Sequence, residues 1–185
     1  MNSIENILEP YAELEQSVGR LMKGLFSEMC GMCTACCCRV DICEEAVASP
    51  FLALLLRKQG LGESELDDRY GWLDLDGCSL QYGRPPICYA YFCDSLLGRL
   101  QDDEARFAAR TLGKLMDHIG KEALGERHLV EIMNPDDLGK VSIEMLQHRI
   151  EEAHAAFEVI ESYLQTGSLS APDQAILRMI QGVEH

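Results

Sequence analysis

All nine cysteines of this 185-residue chain lie between residues 30 and 93. The first block reads Cys30-x-x-Cys33-x-x-Cys36-Cys37, and Cys38 follows it directly. Sulfur atoms at such short intervals can converge on one point from a single loop, which leaves a place for a more distant ligand. The pattern therefore predicts a metal ion or an iron–sulfur cluster bound by cysteine thiolates.

A second block, which consists of Cys78, Cys88 and Cys93, supplies candidates for the distant ligand. Zinc would take four thiolates tetrahedrally, for example two from each block. A [4Fe–4S] cluster also takes four cysteines, and the spacing of Cys30, Cys33 and Cys36 is more typical of it than of a zinc ribbon. Seven thiolates exceed one mononuclear site, so two sites, or one cluster with an exchange thiol, stay open. We interpret Cys43 as a packed side chain.

Composition restricts the class of partner and the location. The formal net charge of −15 argues against nucleic-acid binding, which needs a basic surface, and disfavours anionic lipid. The longest apolar stretch, at residues 51–56, is too short to span a bilayer, and no secretory signal is visible. The odd number of cysteines prevents complete disulfide pairing within the chain. These features predict a cytoplasmic protein without a membrane segment.

Other residues that could do chemistry have simpler interpretations. Glu151-x-x-His154 has the spacing of di-iron bundles but occurs once, so we expect a solvated helix face. His118 and His128 have no second histidine at ligand spacing, and we expect packed or surface side chains. We identify no catalytic residue and no residue that would bind an organic cofactor, since neither a nucleophile elbow nor a phosphate-binding loop occurs. Arg84 either donates to a metal-bound sulfur or forms a salt bridge with a carboxylate.

Hydrophobic periodicity predicts the elements ahead of the second cysteine block. Apolar residues at three- and four-residue intervals predict a helix over residues 2–26, with a kink or a later start near Pro10. Ser49-Pro50 predicts the start of a helix over residues 50–59, which Gly60 would close. Residues 72–75 and 78–82 predict a β-hairpin around Asp76-Gly77 in a type I′ turn.

The remaining chain reads as helical. One helix is predicted over residues 94–124, although Gly98, Gly113 and Gly120 weaken the case for an unbroken one. Another element should begin at Asn134-Pro135 and end at Gly167. A short terminal helix should begin near Ser170.

These elements predict a mainly α fold, in which a helical bundle carries an inserted cysteine-rich, metal-binding segment with a short β-hairpin. We expect residues 1–185 to form a single domain, with the cysteine region at residues 30–93 inside it. The apolar stripes of the two long helices favour packing within one chain. The alternative is that they pair with a protein partner or with a second copy of the chain.

The two cysteine blocks together resemble the CxxCxxCC cysteine-cluster family, which is described as a zinc- or iron-chelating domain. The resemblance spans residues 30–93 and includes the stretch from Gly77 through Arg84-Pro85 to Cys88, and then Phe92-Cys93. It implies the following chelating set: Cys30, Cys33, Cys36, Cys37, Cys78, Cys88 and Cys93.

Two positions depart from the family pattern. The family often has another cysteine where Tyr70-Gly71 precede Trp72-Leu73, and often has arginine where this chain has Tyr89. Flagellin lysine methylases are similar in the cysteine motif. The resemblance implies that the chain binds iron or zinc and leaves the reaction open. Iron, as an iron–sulfur cluster, would suit electron transfer or redox sensing, and zinc would suit a structural role or metal sequestration. The alternatives are a metal- or thiol-dependent enzyme such as a methylase, and a helical interaction module with a structural zinc.

Overall fold

The computed structural model describes residues 4–26, 39–74, 77–92 and 94–182, and this part of the chain is mainly helical, as predicted. Two strands, β1 (Leu73–Asp74) and β2 (Gly77–Cys78), form an antiparallel pair. No helix in these ranges is both long enough and apolar enough to cross a membrane. The helices are α1 (Glu5–Phe26), α2 (Val40–Ala48), α3 (Pro50–Lys58), α4 (Ile87–Ala90), α5 (Asp94–Leu97), α6 (Asp103–Gly120), α7 (Ile143–Thr166) and α8 (Ala171–Gln181).

The long helices α1, α6 and α7 pack against one another, and α8 covers α6 and α7. The apolar stripe of α1 and that of α7 are buried in the same core, which accounts for the periodicity within one chain. Burial of each such side chain contributes roughly 1.5–3 kcal/mol. The buried stripe residues are Ile7, Tyr11, Leu14, Val18 and Leu21 in α1, and Ile143, Leu146, Ile150, Ala153, Phe157 and Ile160 in α7.

Helix α1 begins at Glu5 and continues through Pro10, so the predicted later start is wrong. Proline lacks the N–H that would bond to the carbonyl four residues earlier, which removes one bond of the helix. Ile7 and Tyr11, on either side of Pro10, are both fully buried. Their packing offsets the lost hydrogen bond, because most helix stability in proteins comes from the buried face.

Helix α3 confirms the prediction made from Ser49-Pro50. Ser49 Oγ accepts a hydrogen bond from the Leu52 N–H at 3.4 Å, and Pro50 occupies the first helical position. Gly60 follows the helix with φ of +72°, in the left-handed region that favours glycine. Helix α2, directly before α3, was not predicted.

The hairpin prediction is confirmed as a strand pair but wrong in its register. Leu73 pairs with Cys78 and Asp74 with Gly77, so Gly77 lies in a strand rather than in the turn. Residues 75 and 76, between the strands, lie outside the described ranges. The buried side chains of Trp72 and Leu80 belong to one apolar cluster. Their packing, rather than the turn preference of Asp-Gly, sets this register.

The predicted helix over residues 94–124 is divided into α5 and α6. Asp102 begins α6 because its Oδ1 accepts a hydrogen bond from the Ala105 N–H at 2.7 Å. The element predicted from Asn134-Pro135 is also divided, into a short 3₁₀ helix (Pro135–Lys140) and α7. Gly167 ends α7 with φ of +73°, as predicted. The terminal helix is α8, and Ser170 caps it.

Candidate metal centre

Two of the seven predicted ligands lie in the described part of the chain. Cys78 ends β2 and Cys88 is the second residue of α4, and both are exposed. Within the described ranges, no three His, Cys, Asp or Glu side chains are grouped to hold a metal. The other five predicted ligands lie outside those ranges, as does Cys38: Cys30, Cys33, Cys36, Cys37 and Cys93.

The residues next to the undescribed cysteines have defined neighbours. Phe26 is the last described residue before the first cysteine block, and Phe92 directly precedes Cys93. Their rings are in contact, with centroids 5.4 Å apart and planes tilted by 39°. The last described residue before the first block therefore lies beside the residue that precedes Cys93.

Helix α6 holds Phe92 in this place through a close approach at Gly113. A Cβ added at Gly113 would lie 2.6 Å from Phe92 Cε2 and 2.9 Å from the Tyr89 carbonyl oxygen. Only a residue without a side chain fits there. The segment that carries Cys88 is thus packed directly on the bundle.

The chain leaves the first block beside the hairpin. Gly71 has φ of +61°, and a Cβ added there would lie 2.5 Å from Cys43 Sγ and 3.9 Å from the Val40 Cα. The first turn of α2 therefore lies against the residue before Trp72, and the Trp72 carbonyl accepts a hydrogen bond from the Ser79 N–H at 2.7 Å. Ser79 is the neighbour of Cys78.

A second apolar cluster packs residues next to the hairpin strands against α2 and α3. It consists of Ala46, Leu56, Trp72 and Leu80, and the partly buried Cys43 packs against it. Cys43 thus contributes to packing, in agreement with our interpretation of that residue. The cluster fixes β2 relative to α2 and α3, and so positions Cys78.

Arg84 contacts one described ligand, Cys78, and the neighbour of the other. Its Nε–H donates to Cys78 Sγ at 3.3 Å, and its Nη1–H donates to the Tyr89 hydroxyl at 2.9 Å. Its Nη2 donates to the Leu80 carbonyl. We predicted either donation to a sulfur or a salt bridge for Arg84, and the described contacts include the donation to a sulfur. Tyr89 is the neighbour of Cys88, so one guanidinium lies between the segments of both cysteines.

A buried carboxylate, Glu15 of α1, completes the network. Glu15 Oε1 accepts from the Tyr89 hydroxyl at 2.6 Å and from the Arg84 N–H at 2.7 Å, and its Oε2 accepts from the Gly83 N–H at 2.6 Å. The side chain is fully buried. All three partners are donors, which matches a carboxylate that accepts hydrogen bonds.

Burial raises the pKa of the two acids of this network, Glu15 and Tyr89, and acts to lower the pKa of its base, Arg84. Burial raises the pKa of Glu15, while the hydrogen bonds from Tyr89, Arg84 and Gly83 and the charge of Arg84 act to lower it. Burial, together with the charge of Glu15, raises the pKa of Tyr89 well above 10.0, so the phenol keeps its proton. Burial opposes the charge of Arg84, but Tyr89 and Cys78 outweigh that effect and raise its pKa.

The arrangement around Cys78 fits a metal-bound thiolate. An arginine N–H donates but never accepts, so the sulfur acts as the acceptor. Metal-bound sulfurs carry negative charge, and N–H donors beside them tune the affinity and redox potential of such sites. Cysteine donors suit zinc and iron–sulfur clusters, as the sequence predicts.

Histidines outside the cysteine region have structural partners. His118 Nε2 lies 2.7 Å from Glu152 Oε2. His128 Nδ1 accepts from the Val130 N–H at 3.2 Å, and its Nε2 faces the Asp117 carbonyl at 3.0 Å. Burial lowers the pKa of His128, in keeping with a neutral ring that caps a turn. The predicted packed histidines are confirmed, and Glu151 and His154 are exposed, as expected of a solvated face.

Two open hollows on the described surface are lined by residues other than the described cysteines. One, of about 380 Å³, is lined by Ser49, Leu52, Val130, Met133 and neighbouring residues, and the other, of about 240 Å³, by residues of α6 and α8 with Leu169. Neither includes a cysteine, so neither brings a small-molecule cavity to the described thiols.

Sequence reasoning missed Glu15 and the role of Tyr89. The signal for Glu15 is its position, four residues after Tyr11 and three before Val18, on the apolar face of α1. A charged residue there requires buried partners.

Comparisons with models of known protein families, with curated proteins and with solved structures gave no match to this chain.

Proposed function

We propose that this protein binds a metal through thiolates from both cysteine blocks, as an iron–sulfur cluster or as zinc. The proposed ligands come from Cys30, Cys33, Cys36 and Cys37 in the first block and from Cys78, Cys88 and Cys93 in the second. Iron would supply electron transfer or redox sensing. Zinc would supply structural stability or be sequestered.

The observation that carries the proposal is that the described residues on either side of the first block lie against residues close in sequence to the second block. Phe26 lies against Phe92, and Val40 lies beside Gly71, two residues before the strand β1 that pairs with Cys78. Covalent geometry limits the four residues from Phe26 to Cys30 to about 14 Å. The two residues from Cys37 to Arg39 span at most about 7 Å. A common site is therefore within reach of both blocks.

The hydrogen bond from Arg84 to Cys78 Sγ supports the same proposal, because it brings a positive charge to a predicted ligand. Several thiolates around one cation give the site excess negative charge, which a nearby guanidinium offsets. The protein has a net charge of −15, so an arginine has many carboxylates as possible partners. The guanidinium of Arg84 instead donates to the sulfur of Cys78, to the Tyr89 hydroxyl and to the Leu80 carbonyl.

The test is metal analysis of protein purified without oxygen. Bound iron with acid-labile sulfide and visible absorption would identify a cluster, and a colourless protein with bound zinc would identify a zinc site. Cys33→Ser and Cys88→Ser, one from each block, should each lower the bound metal. Cys43→Ser is the matched control and should leave it unchanged. Wild-type protein that retains neither iron nor zinc, and takes up neither, would overturn the proposal.

A further inference from the structure

We propose that Glu15 is a positioning residue for the cysteine site, although it lies in α1 and contacts no cysteine that the structure describes. Its carboxylate orients Arg84 through Tyr89, and Arg84 donates to Cys78 Sγ. The inference rests on the proposed function, because it concerns how one of the proposed ligands is held.

The direction of each hydrogen bond in this chain follows from the groups involved. Arg84 has only donors, so the Tyr89 oxygen accepts from its Nη1–H. The single proton of Tyr89 is then directed to Glu15 Oε1, 2.6 Å away. If Glu15 lost its charge, the phenol would lose its strongest acceptor and Arg84 would lose a fixed partner.

Glu15 also fixes the main chain from which Arg84 extends. The N–H groups of Gly83 and Arg84 both donate to its carboxylate, at 2.6 and 2.7 Å. Gly83 has φ of +84° and packs on Leu55 and Leu56, which leaves little freedom for the turn. One carboxylate therefore holds both the backbone and the side chain of Arg84.

The positive charge of Arg84 explains why its orientation by Glu15 affects metal binding as well as the fold. The guanidinium lies between a carboxylate and a sulfur, and it contacts the sulfur with its Nε–H. A guanidinium held in that orientation stabilises a thiolate bound to a cation more than a guanidinium that turns freely, because the N–H···S bond depends on direction. Removal of such supporting groups typically lowers metal affinity by about 10–100-fold.

The test uses Cd²⁺ as the probe, since cadmium thiolates absorb in the ultraviolet and report sulfur ligands directly. Affinity is measured by competition with a chelator, and absorption is recorded per bound metal. Glu15→Gln keeps the shape but removes the charge, and Tyr89→Phe removes the link. We expect each variant to weaken Cd²⁺ binding by about tenfold or more and to change the thiolate absorption. The double variant should lose little more than either single variant.

Glu13→Gln, an exposed glutamate on the same helix, is the matched control and should bind Cd²⁺ like the wild type. Circular dichroism checks that each variant is folded, and Tyr89→Phe carries the test if Glu15→Gln does not fold. Folded variants with unchanged affinity and unchanged absorption would overturn this inference and leave the proposed function standing. Wild-type protein that binds no Cd²⁺ through thiolates would overturn both.

Discussion

Glu15 illustrates what a single residue contributes beyond its spacing. It occupies a core position of α1, among Tyr11, Leu14 and Val18, and its hydrogen-bond donors in the described part of the chain come from residues 83–89. Helix periodicity predicts that this position is buried. It does not predict which donors will face the carboxylate, because they come from a segment almost 70 positions later in the chain.

For Arg84 and Cys78, in contrast to Glu15, the sequence did suggest the partner. Their chemical types and their place in the cysteine motif were enough to suggest an N–H···S contact, and the structure contains one at 3.3 Å. The competing salt bridge could not be dismissed from the sequence, because 31 acidic residues offer partners everywhere. The hydroxyl of Tyr89 accepts the second donor arm of Arg84.

The pKa of Glu15 gives a prediction for stability in metal-free protein. The folded state holds the Glu15 proton to a higher pH than the unfolded chain does, because burial raises the pKa above its usual 4.5. The stabilising contribution of this group is therefore complete below about pH 4.5 and is lost as the pH rises through the folded pKa. The stability of wild type relative to Glu15→Gln should fall over that window, measured by urea unfolding at several pH values.

The control for this experiment is Glu13→Gln, which removes an exposed carboxyl from the same helix. It measures the background change caused by the net charge. A difference between wild type and Glu15→Gln that rises with pH would contradict this prediction, since it would mean that the hydrogen bonds to the carboxylate outweigh the effect of burial on its pKa.

At the scale of elements, caps predicted more than turn preferences did. Ser49-Pro50 and Gly167 mark helix ends where expected, because the cap bonds form within a few residues of sequence. Helix α2 escaped prediction because Arg39, at its start, provides no side-chain cap. The register of the hairpin depends on Trp72 and Leu80 packing on distant helices, which a local rule does not contain.

Gly113 has a role that its helix propensity hides. In the sequence it weakens the case for a continuous helix, yet α6 runs through it without a break. Its lack of a side chain admits Phe92 and the Tyr89 carbonyl, which brings the segment that contains Cys88 onto the bundle. Close packing thus outweighs propensity at this position.

Substitution of two helical glycines by alanine should give effects of opposite sign. Gly19 in α1 has no atom within 4 Å of an added Cβ, so Gly19→Ala should stabilise the protein by about 0.5–1 kcal/mol through helix propensity. Gly113→Ala would place a methyl group 2.6 Å from Phe92 Cε2 and should destabilise by about 1–3 kcal/mol. Chemical denaturation of both variants checks this. A stabilising Gly113→Ala would show that Phe92 does not pack there.

At the scale of the whole molecule, hydrophobic periodicity was the most reliable guide. The stripes of α1 and α7 lie in one core within the chain, as the three- and four-residue spacing favoured. The proposed meeting of the two cysteine blocks could not follow from periodicity, because it depends on contacts such as Phe26 with Phe92 between residues far apart in sequence. The sequence predicted which residues are candidates, and the fold explains how they can meet.

A buried charge in the stripe of α7 tests this packing. Ile150 is 7% exposed, so Ile150→Asp would place an unpaired carboxylate in the core and should destabilise the protein by about 3 kcal/mol or more. Gln147→Asp, at an exposed position of the same helix, should have little effect. Thermal unfolding measures both variants. An Ile150→Asp protein that stays equally stable but sediments at a lower mass would instead indicate a seam between two copies.

The central claim is that sulfur atoms from both cysteine blocks bind one metal centre. X-ray absorption at the edge of the bound metal measures this most directly, because it counts sulfur neighbours. We predict a sulfur shell at about 2.3 Å for zinc, or the corresponding iron–sulfide shells, with fewer sulfurs or less metal in Cys33→Ser and in Cys78→Ser and no change in Cys43→Ser. A first shell made only of nitrogen and oxygen, or a sulfur shell untouched by both Cys33→Ser and Cys78→Ser, would contradict the account.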